Sequence, residues 1–270
     1  MKKINTITGL REYLHPSRLA DQQIGLVPTM GAIHEGHRSL MRAARAECDV
    51  VVVSIFVNPT QFGPGEDFDQ YPRPLEDDLA ACESEGADVV FCPEVAEMYP
   101  TDAVTTVSVA ELTERLCGAH RPGHFDGVTT VVAKLFHIVQ PDRAYFGQKD
   151  AQQAVVIQRM VRDLNFPLEI RVCPVVRETD GVALSSRNSY LSPQEREQAR
   201  SLSQALFRAM EQIQSGVRDV DSLREDMRGM IEAAGPCEID YIEIMDADNL
   251  QPKQTVEGRC LLAVAVKIGP

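Results

Sequence analysis

A doubly wound α/β fold with a parallel sheet, followed by a smaller α+β domain, is what this 270-residue sequence predicts. Three observations carry the prediction. Short β-branched runs alternate with helical periodicities through the first two-thirds of the chain, as in βαβ units with right-handed crossovers. One run, residues 50–57 (VVVVSIFV), is apolar at all but Ser54, as a strand covered on both faces requires. After about residue 176 the alternation gives way to two amphipathic helices and a pair of strands.

In order, residues 24–28 read as a buried strand, followed by a loop and a helix from about Gly36 to Glu47. Leu40, Met41 and Ala44 form the apolar stripe of that helix. The valine run is the next strand, residues 75–86 the next helix and residues 88–92 the strand after it. A helix near residues 129–139, a strand at 143–146, a helix at 151–164 and a strand at 168–173 complete the alternation. Ser192, Pro193 and Glu195 then mark a strong helix start, with Ser as N-cap, Pro at the first helical position and Glu closing a capping box. Leu202, Leu206, Ala209 and Ile213 continue its apolar face. A helix at 222–234 and strands at 239–245 and 260–268 end the chain. The expected domains are 1–176 and 177–270.

Composition narrows the function. A formal charge of −13 argues against nucleic acid, because that binding rests on neutralising phosphates. No apolar run approaches the roughly 20 residues of a membrane span, and the start of the chain lacks the apolar core of a secretory signal. A cytoplasmic protein with neither nucleic-acid nor membrane partners is expected. The seven cysteines include no CxxC pair, so they predict small hydrophobes rather than a zinc site or disulfide framework.

Three motifs carry chemistry. In PTMGAIHEGH (28–37) a core strand ends and a helix opens, a junction where free backbone N–H groups favour phosphate. Gly36 leaves room between His34 and His37, and two imidazoles can donate hydrogen bonds to a reacting phosphorus centre. The pair could also bind a metal, though no third ligand is obvious. In AYFGQKDAQQ (144–153) a strand ends in Gly147, Lys149 can meet phosphate oxygens, and Asp150 can accept from ribose hydroxyls. Asp150 and Gln153 equally satisfy the pattern of a capping box. In VRETDGVALSSRN (176–188) a tight turn at Asp180–Gly181 precedes hydroxyls and a guanidinium, Ser185, Ser186 and Arg187, suited to polyphosphate.

Between these motifs lie groups suited to a small polar acid. SIFVNPTQF (54–62) ends a core strand with the amides of Asn58 and Gln61. Gly63–Asp67 is a candidate flap. RPGHFDG (121–127) offers Arg121 in an anion-friendly turn. Asp77 and Asp78 could hold Mg²⁺ through water, although adjacent acids near a helix start more often act as dipole partners.

Together these stretches, with DFDQYPR (67–73), RPGHFDGVTTVVAKLF (121–136) and DGVALSSRNSYL (180–191), make a chain that resembles the pantothenate synthetase family over nearly its whole length. The HxGH element alone is shared across nucleotidyltransferases; its combination with NPTQF and RPGHF is far more specific. The resemblance implies a Rossmann-like nucleotide- and pantoate-binding domain, with the second domain closing over the ATP site. It implies ATP and Mg²⁺, with pantoate and β-alanine as substrates, a pantoyl-adenylate intermediate, and a homodimer formed through the N-terminal domain. His34 and His37 are assigned to ATP and the adenylation transition state, with His37 as proton donor, and Met30 to the reacting centre through its backbone. Gly147, Lys149 and Asp150 match the nucleotide segment, Val176 lies near adenine, and Leu184, Ser185, Ser186 and Arg187 close on the phosphates. Gln61 and Gln153 match the pantoate amides. Arg38 and His137 depart from the family pattern. Two other readings are a nucleotidyltransferase that adenylylates a phosphate-bearing molecule without an amine step, and an ATP-binding sensor without turnover. Neither uses an acid pocket beside three phosphate-facing motifs.

Overall fold

Val51, Val52 and Val53 are fully buried because their strand runs through the interior of a six-stranded parallel sheet flanked by helices. The computed structural model describes residues 1–185, 188 and 191–269. In chain order its first half contains β1 (Lys2–Ile4), α1 (Ile7–Leu19), β2 (Ile24–Thr29), α2 (Glu35–Glu47), β3 (Val50–Ile55), α3 (Leu75–Ser84), β4 (Val89–Phe91) and the single turn α4 (Val95–Met98). There follow α5 (Cys117–His120), α6 (His124–Val139), β5 (Arg143–Gly147), α7 (Ala151–Asp163), β6 (Glu169–Cys173), α8 (Pro193–Gln214), α9 (Val220–Ala233), β7 (Glu238–Asp246) and β8 (Cys260–Lys267).

Two compact units result. One comprises Met1–Ala110 with Arg121–Val175, the other Glu111–His120 with Val176–Pro270. The first holds the sheet, in the order β1-β4-β3-β2-β5-β6, with every pair parallel. Its core joins Leu40, Met41 and Ala44 of α2 to Val27, Val51, Val53 and Val90 of the strands. The stripe read from α2 is therefore the face buried against the sheet, and Leu40 and Met41 each contribute about 1.5–3 kcal/mol by leaving water. In the second unit β7 and β8 pair antiparallel, and Leu223, Met227 and Ile231 of α9 pack with Ala205 and Ala209 of α8 against Ile242 and Ile244.

The α/β architecture with a smaller α+β unit is as the sequence predicts. The start of α8 is as well: the Ser192 hydroxyl accepts from the Glu195 amide, and the Glu195 carboxylate accepts from the Ser192 amide. Three elements differ. β1 and α1 have no counterpart in the sequence reading; α1 carries Pro16 near its end while burying Leu10 and Leu14 completely. α6 begins at His124 rather than near residue 129, since Gly123 takes a left-handed conformation (φ +80°) and turns the chain directly into the helix. All seven cysteines are free, and only Cys48 and Cys82 are fully buried. No helix among the described residues is long and apolar enough to cross a membrane.

Candidate active site

The chain leaves β2 and β5 in opposite directions: β3 and β4 extend the sheet on one side, β6 on the other. Such a reversal places a crevice at the carboxyl ends of the two strands. The ladder between them pairs Gly25 with Arg143 and Leu26 with Ala144, and the strand ends beyond lead into the loops that follow Thr29 and Gly147.

The first loop is tightly held. Gly31 and Ala32 both have positive φ (+87° and +49°), and for Ala32 this costs about 1–2 kcal/mol. Asp78, on α3 and only 2% exposed, compensates: one carboxylate oxygen accepts from the Ala32 amide at 2.9 Å, the other from the Ile33 amide at 2.6 Å. The Thr29 hydroxyl donates to the Ser54 carbonyl (2.8 Å) and accepts from the Gly31 amide (3.1 Å). Burial pushes the Asp78 pKa up, while the two backbone donors favour its ionised form. Of the two acids expected to hold Mg²⁺ through water, Asp78 thus serves the loop in the free protein. Asp78 spends both oxygens on the loop and Asp77 is exposed. No group of three His, Cys, Asp or Glu among the described residues is placed to hold a metal ion.

His34 and His37 cap α2 in a reciprocal pair. His34 is the N-cap and its Nδ1 accepts from the Gly36 amide at 3.1 Å; Nδ1 of His37 accepts from the His34 amide at 3.4 Å. The rings lie 4.1 Å apart, tilted by 30°. A nitrogen that accepts from a backbone N–H carries no proton, so each neutral ring is the Nε2–H tautomer and offers that donor outward. Burial lowers both pKa values. His37 falls from 6.5 to about 3, driven further by His34 and Lys149 and opposed by Asp150. In the free protein His37 thus presents a neutral Nε2–H donor. The role of Gly36 is also revised: a Cβ there would lie 2.8 Å from Cε1 of His34, so the missing side chain makes room for the imidazole.

A pH dependence follows with a definite sign. A histidine whose folded pKa is depressed stabilises the fold above its unfolded value of 6.5, and that contribution is lost as pH falls towards about 3. The His37 ring signals are therefore expected to stay at neutral-form positions from pH ~8 to pH ~4 in an NMR titration. A midpoint near the ordinary value would overturn the depressed pKa of His37.

The second loop brings Lys149 and Asp150 to the same crevice, where both charges act on His34 and His37. A short 3₁₀ turn, Gln148–Asp150, precedes α7. Asp150 is the N-cap by position but makes no side-chain cap bond, so the capping-box alternative does not form. Its carboxylate instead accepts from Lys149 Nζ at 3.4 Å, and both side chains are largely exposed. Gln153 lies one turn further on, half-buried on α7.

Opposite them lies the polar turn Pro59–Gln61. The Gln61 Nε2 group donates to Met30 Sδ at 3.1 Å, joining this turn to the first loop. Asn58, 1% exposed, donates to Gln61 Oε1 and to the Gly127 carbonyl, both at 3.1 Å, and accepts from Thr60 and the Tyr99 hydroxyl. Gly127 leaves α6 flush with this turn, since a Cβ there would lie 2.3 Å from the Thr60 carbonyl oxygen. Arg121 makes a two-pronged ion pair with Glu66 and donates to the Gln61 carbonyl (3.4 Å), so it pins the Gly63–Asp67 segment to the start of α6. His124 Nδ1–H donates to the same carbonyl at 2.7 Å, while its Nε2 accepts from Arg121. Asn58 and Arg121, expected as substrate ligands, hold these protein partners in the free protein.

Val176, Leu184 and Ser185 belong to the second unit. There the Leu184 amide donates to the Val176 carbonyl at 3.0 Å, closing a hairpin whose Glu178 and Asp180 both accept from Arg196 of α8. Ser186 and Arg187 lie outside the described residues. Of the two departures, Arg38 donates to Ser84 at the end of α3 and to Glu85, its C-cap, and His137 packs against Phe166. Sequence reasoning missed the anchoring role of Asp78 and the parts played by Glu66, Tyr99 and His124. His124 lay in the RPGHF stretch, Glu66 in the candidate flap and Asp78 among the acids singled out, but Tyr99 carried no signal.

Comparison with known proteins agrees over the full chain. A sequence model described as pantoate-beta-alanine ligase matches residues 2–270. The pantothenate synthetase of Moorella thermoacetica is 58% identical over 269 residues, covering 100% of this chain and 95% of that protein. The solved pantothenate synthetase of Thermus thermophilus superposes with a TM-score of 0.94 at 45% identity, covering 99% of this chain and 95% of that one. The pantoate-beta-alanine ligase of Francisella tularensis, solved in complex with beta-gamma ATP and beta-alanine, gives 0.81 at 36% identity, covering 100% and 94%.

Proposed function

Since the chain belongs to the pantoate–β-alanine ligase family, we propose that it condenses pantoate with β-alanine at the expense of ATP, through an acyl-adenylate formed in the crevice between β2 and β5. The observation that carries this reading is the pair of imidazoles locked as outward Nε2–H donors at the start of α2, beside the Lys149 charge. In the first step an oxygen of the pantoate carboxylate forms a bond to the α-phosphorus of MgATP, and the bond to the β-phosphate oxygen breaks to release pyrophosphate. In the second, the β-alanine amine attacks the acyl carbon. The amide bond forms, the amine loses a proton, and AMP leaves.

No protein nucleophile takes part. The residues act by position and charge: His34 and His37 donate to oxygens of the reacting phosphate, Lys149 adds a point charge, and the helix start contributes free amides. Gly147 and Asp150 receive the nucleoside, Gln61 and Gln153 the pantoate, and the Met30 backbone borders the reacting centre. The family resemblance supports Val176 near adenine, and Leu184, Ser185, Ser186 and Arg187 at the phosphates. Mg²⁺ enters with the nucleotide, as part of the substrate. The family resemblance also supports a cytoplasmic homodimer formed through the N-terminal domain.

The deciding experiment measures pyrophosphate and AMP release with pantoate and β-alanine supplied separately and together. Pyrophosphate in a single burst with pantoate alone, and steady AMP release only with both, is the expected result. Steady AMP release that ignores the amine would point to a nucleotidyltransferase, and silence with pantoate would overturn the substrate.

A further inference from the structure

The buried amide of Asn58 can be oriented in only one way. Nδ2 faces the Gly127 carbonyl at 3.1 Å, and a carbonyl can only accept. Oδ1 faces the Thr60 backbone amide at 3.4 Å, and an amide N–H can only donate; the Thr60 and Tyr99 hydroxyls, each at 2.9 Å, donate to the same oxygen. Two backbone groups thus fix which end of Asn58 is nitrogen. Its second Nδ2 hydrogen meets Gln61 at 3.1 Å, so the Gln61 atom there must be the oxygen. The Gln61 NH2 group is left on the opposite side, towards Met30 Sδ at 3.1 Å. With both hydrogens spent and three donors on its oxygen, Asn58 has no polar capacity for a substrate.

We propose that Asn58 is a positioning residue: it locks Gln61 so that the acid pocket displays the amide's NH2 rather than its carbonyl, and this polarity selects a substrate presenting oxygen lone pairs, a carboxylate or a hydroxyl oxygen. The Tyr99 hydroxyl and the Gly127 carbonyl are the fixed points behind the lock. The substrate-selecting part of this inference rests on the proposed ligase reaction; the polarity itself does not.

Asn58→Asp replaces both donors with acceptors. The Gly127 carbonyl then faces an oxygen, and Gln61 gains by turning its NH2 inward and its carbonyl towards the pocket. The expected result is a pantoate KM raised about tenfold to a hundredfold, the scale of losing a hydrogen bond to a charged group, with the KM for ATP changed less than about twofold. A general loss of structure would move both constants, and a folded variant with unchanged pantoate KM would overturn the inference. If the variant does not fold, the wild-type protein decides. The Gln61 side-chain NH2 protons should show a nuclear Overhauser contact to the Met30 methyl, and both Asn58 side-chain protons should exchange slowly with solvent. Fast exchange of either Asn58 proton, or absence of the Met30 contact, would overturn the lock. Absence of wild-type turnover with pantoate and β-alanine would remove the ligase reading and the selection argument with it, while these NMR signals still judge the polarity.

Discussion

Alanine at His37 is expected to lower turnover about a hundredfold or more, the scale of removing one preorganised donor from a reacting centre. The effect is large because His37 has two functions. Its Nε2–H is a neutral donor fixed in place, and its Nδ1 receives the amide of His34, so the substitution also leaves the His34 backbone N–H without its capping acceptor. Lys149→Ala should fall on the same scale, through loss of a charge that already acts on both rings of the free protein. Steady-state pyrophosphate release with saturating pantoate and β-alanine measures both variants, with thermal midpoints recorded alongside. Near-wild-type turnover in either would reject its assignment to the reaction.

Asp78→Ala should be costly in a different way. It leaves the buried amides of Ala32 and Ile33 without their acceptor, at about 1–3 kcal/mol each, and frees a backbone held at positive φ. A loss of about 2–6 kcal/mol, lowering the thermal midpoint by roughly 10 °C for a domain of this size, should accompany loss of turnover as the His34 loop relaxes. Denaturant titration and turnover read the two effects separately. Excess Mg²⁺ tells the anchor from a metal ligand: added metal should restore nothing. Recovery of activity at high Mg²⁺, or an unchanged midpoint, would sink the anchoring role.

The sequence made the architecture and the location of the site legible because both depend on local patterns. The valine run, the apolar stripe of α2 and the Ser192–Glu195 cap are each contained within one element, and each folds as its pattern dictates. The strand-to-helix junctions holding His34, His37, Lys149 and Asp150 were likewise visible, since a glycine at a strand end announces a turn. What escaped were partnerships across long separations. Nothing local says that Asp78 will bind amides 45 and 46 residues earlier, that Arg121 will take Glu66, or that Asn58 will meet the carbonyl of Gly127. Polar residues near a site resemble one another in sequence, and only the fold shows the partners that Asn58, Asp78 and Arg121 hold in the free protein. The capping-box pattern at Asp150 failed for the converse reason, since a local motif gave way to a 3₁₀ turn.

The short ladder between β2 and β5 bears on how the enzyme comes into being on the ribosome. At the root of that fork the Ile24 amide donates to the Asp142 carboxylate, across 118 residues of chain. A nascent polypeptide that has emerged only as far as β4 already possesses the histidine loop and its Asp78 tether, but lacks the strand that supplies Lys149. Closing so long a loop is among the slower events of folding. Nucleotide affinity should therefore arrive late in synthesis, as a property of the finished sheet and not of the histidine motif alone.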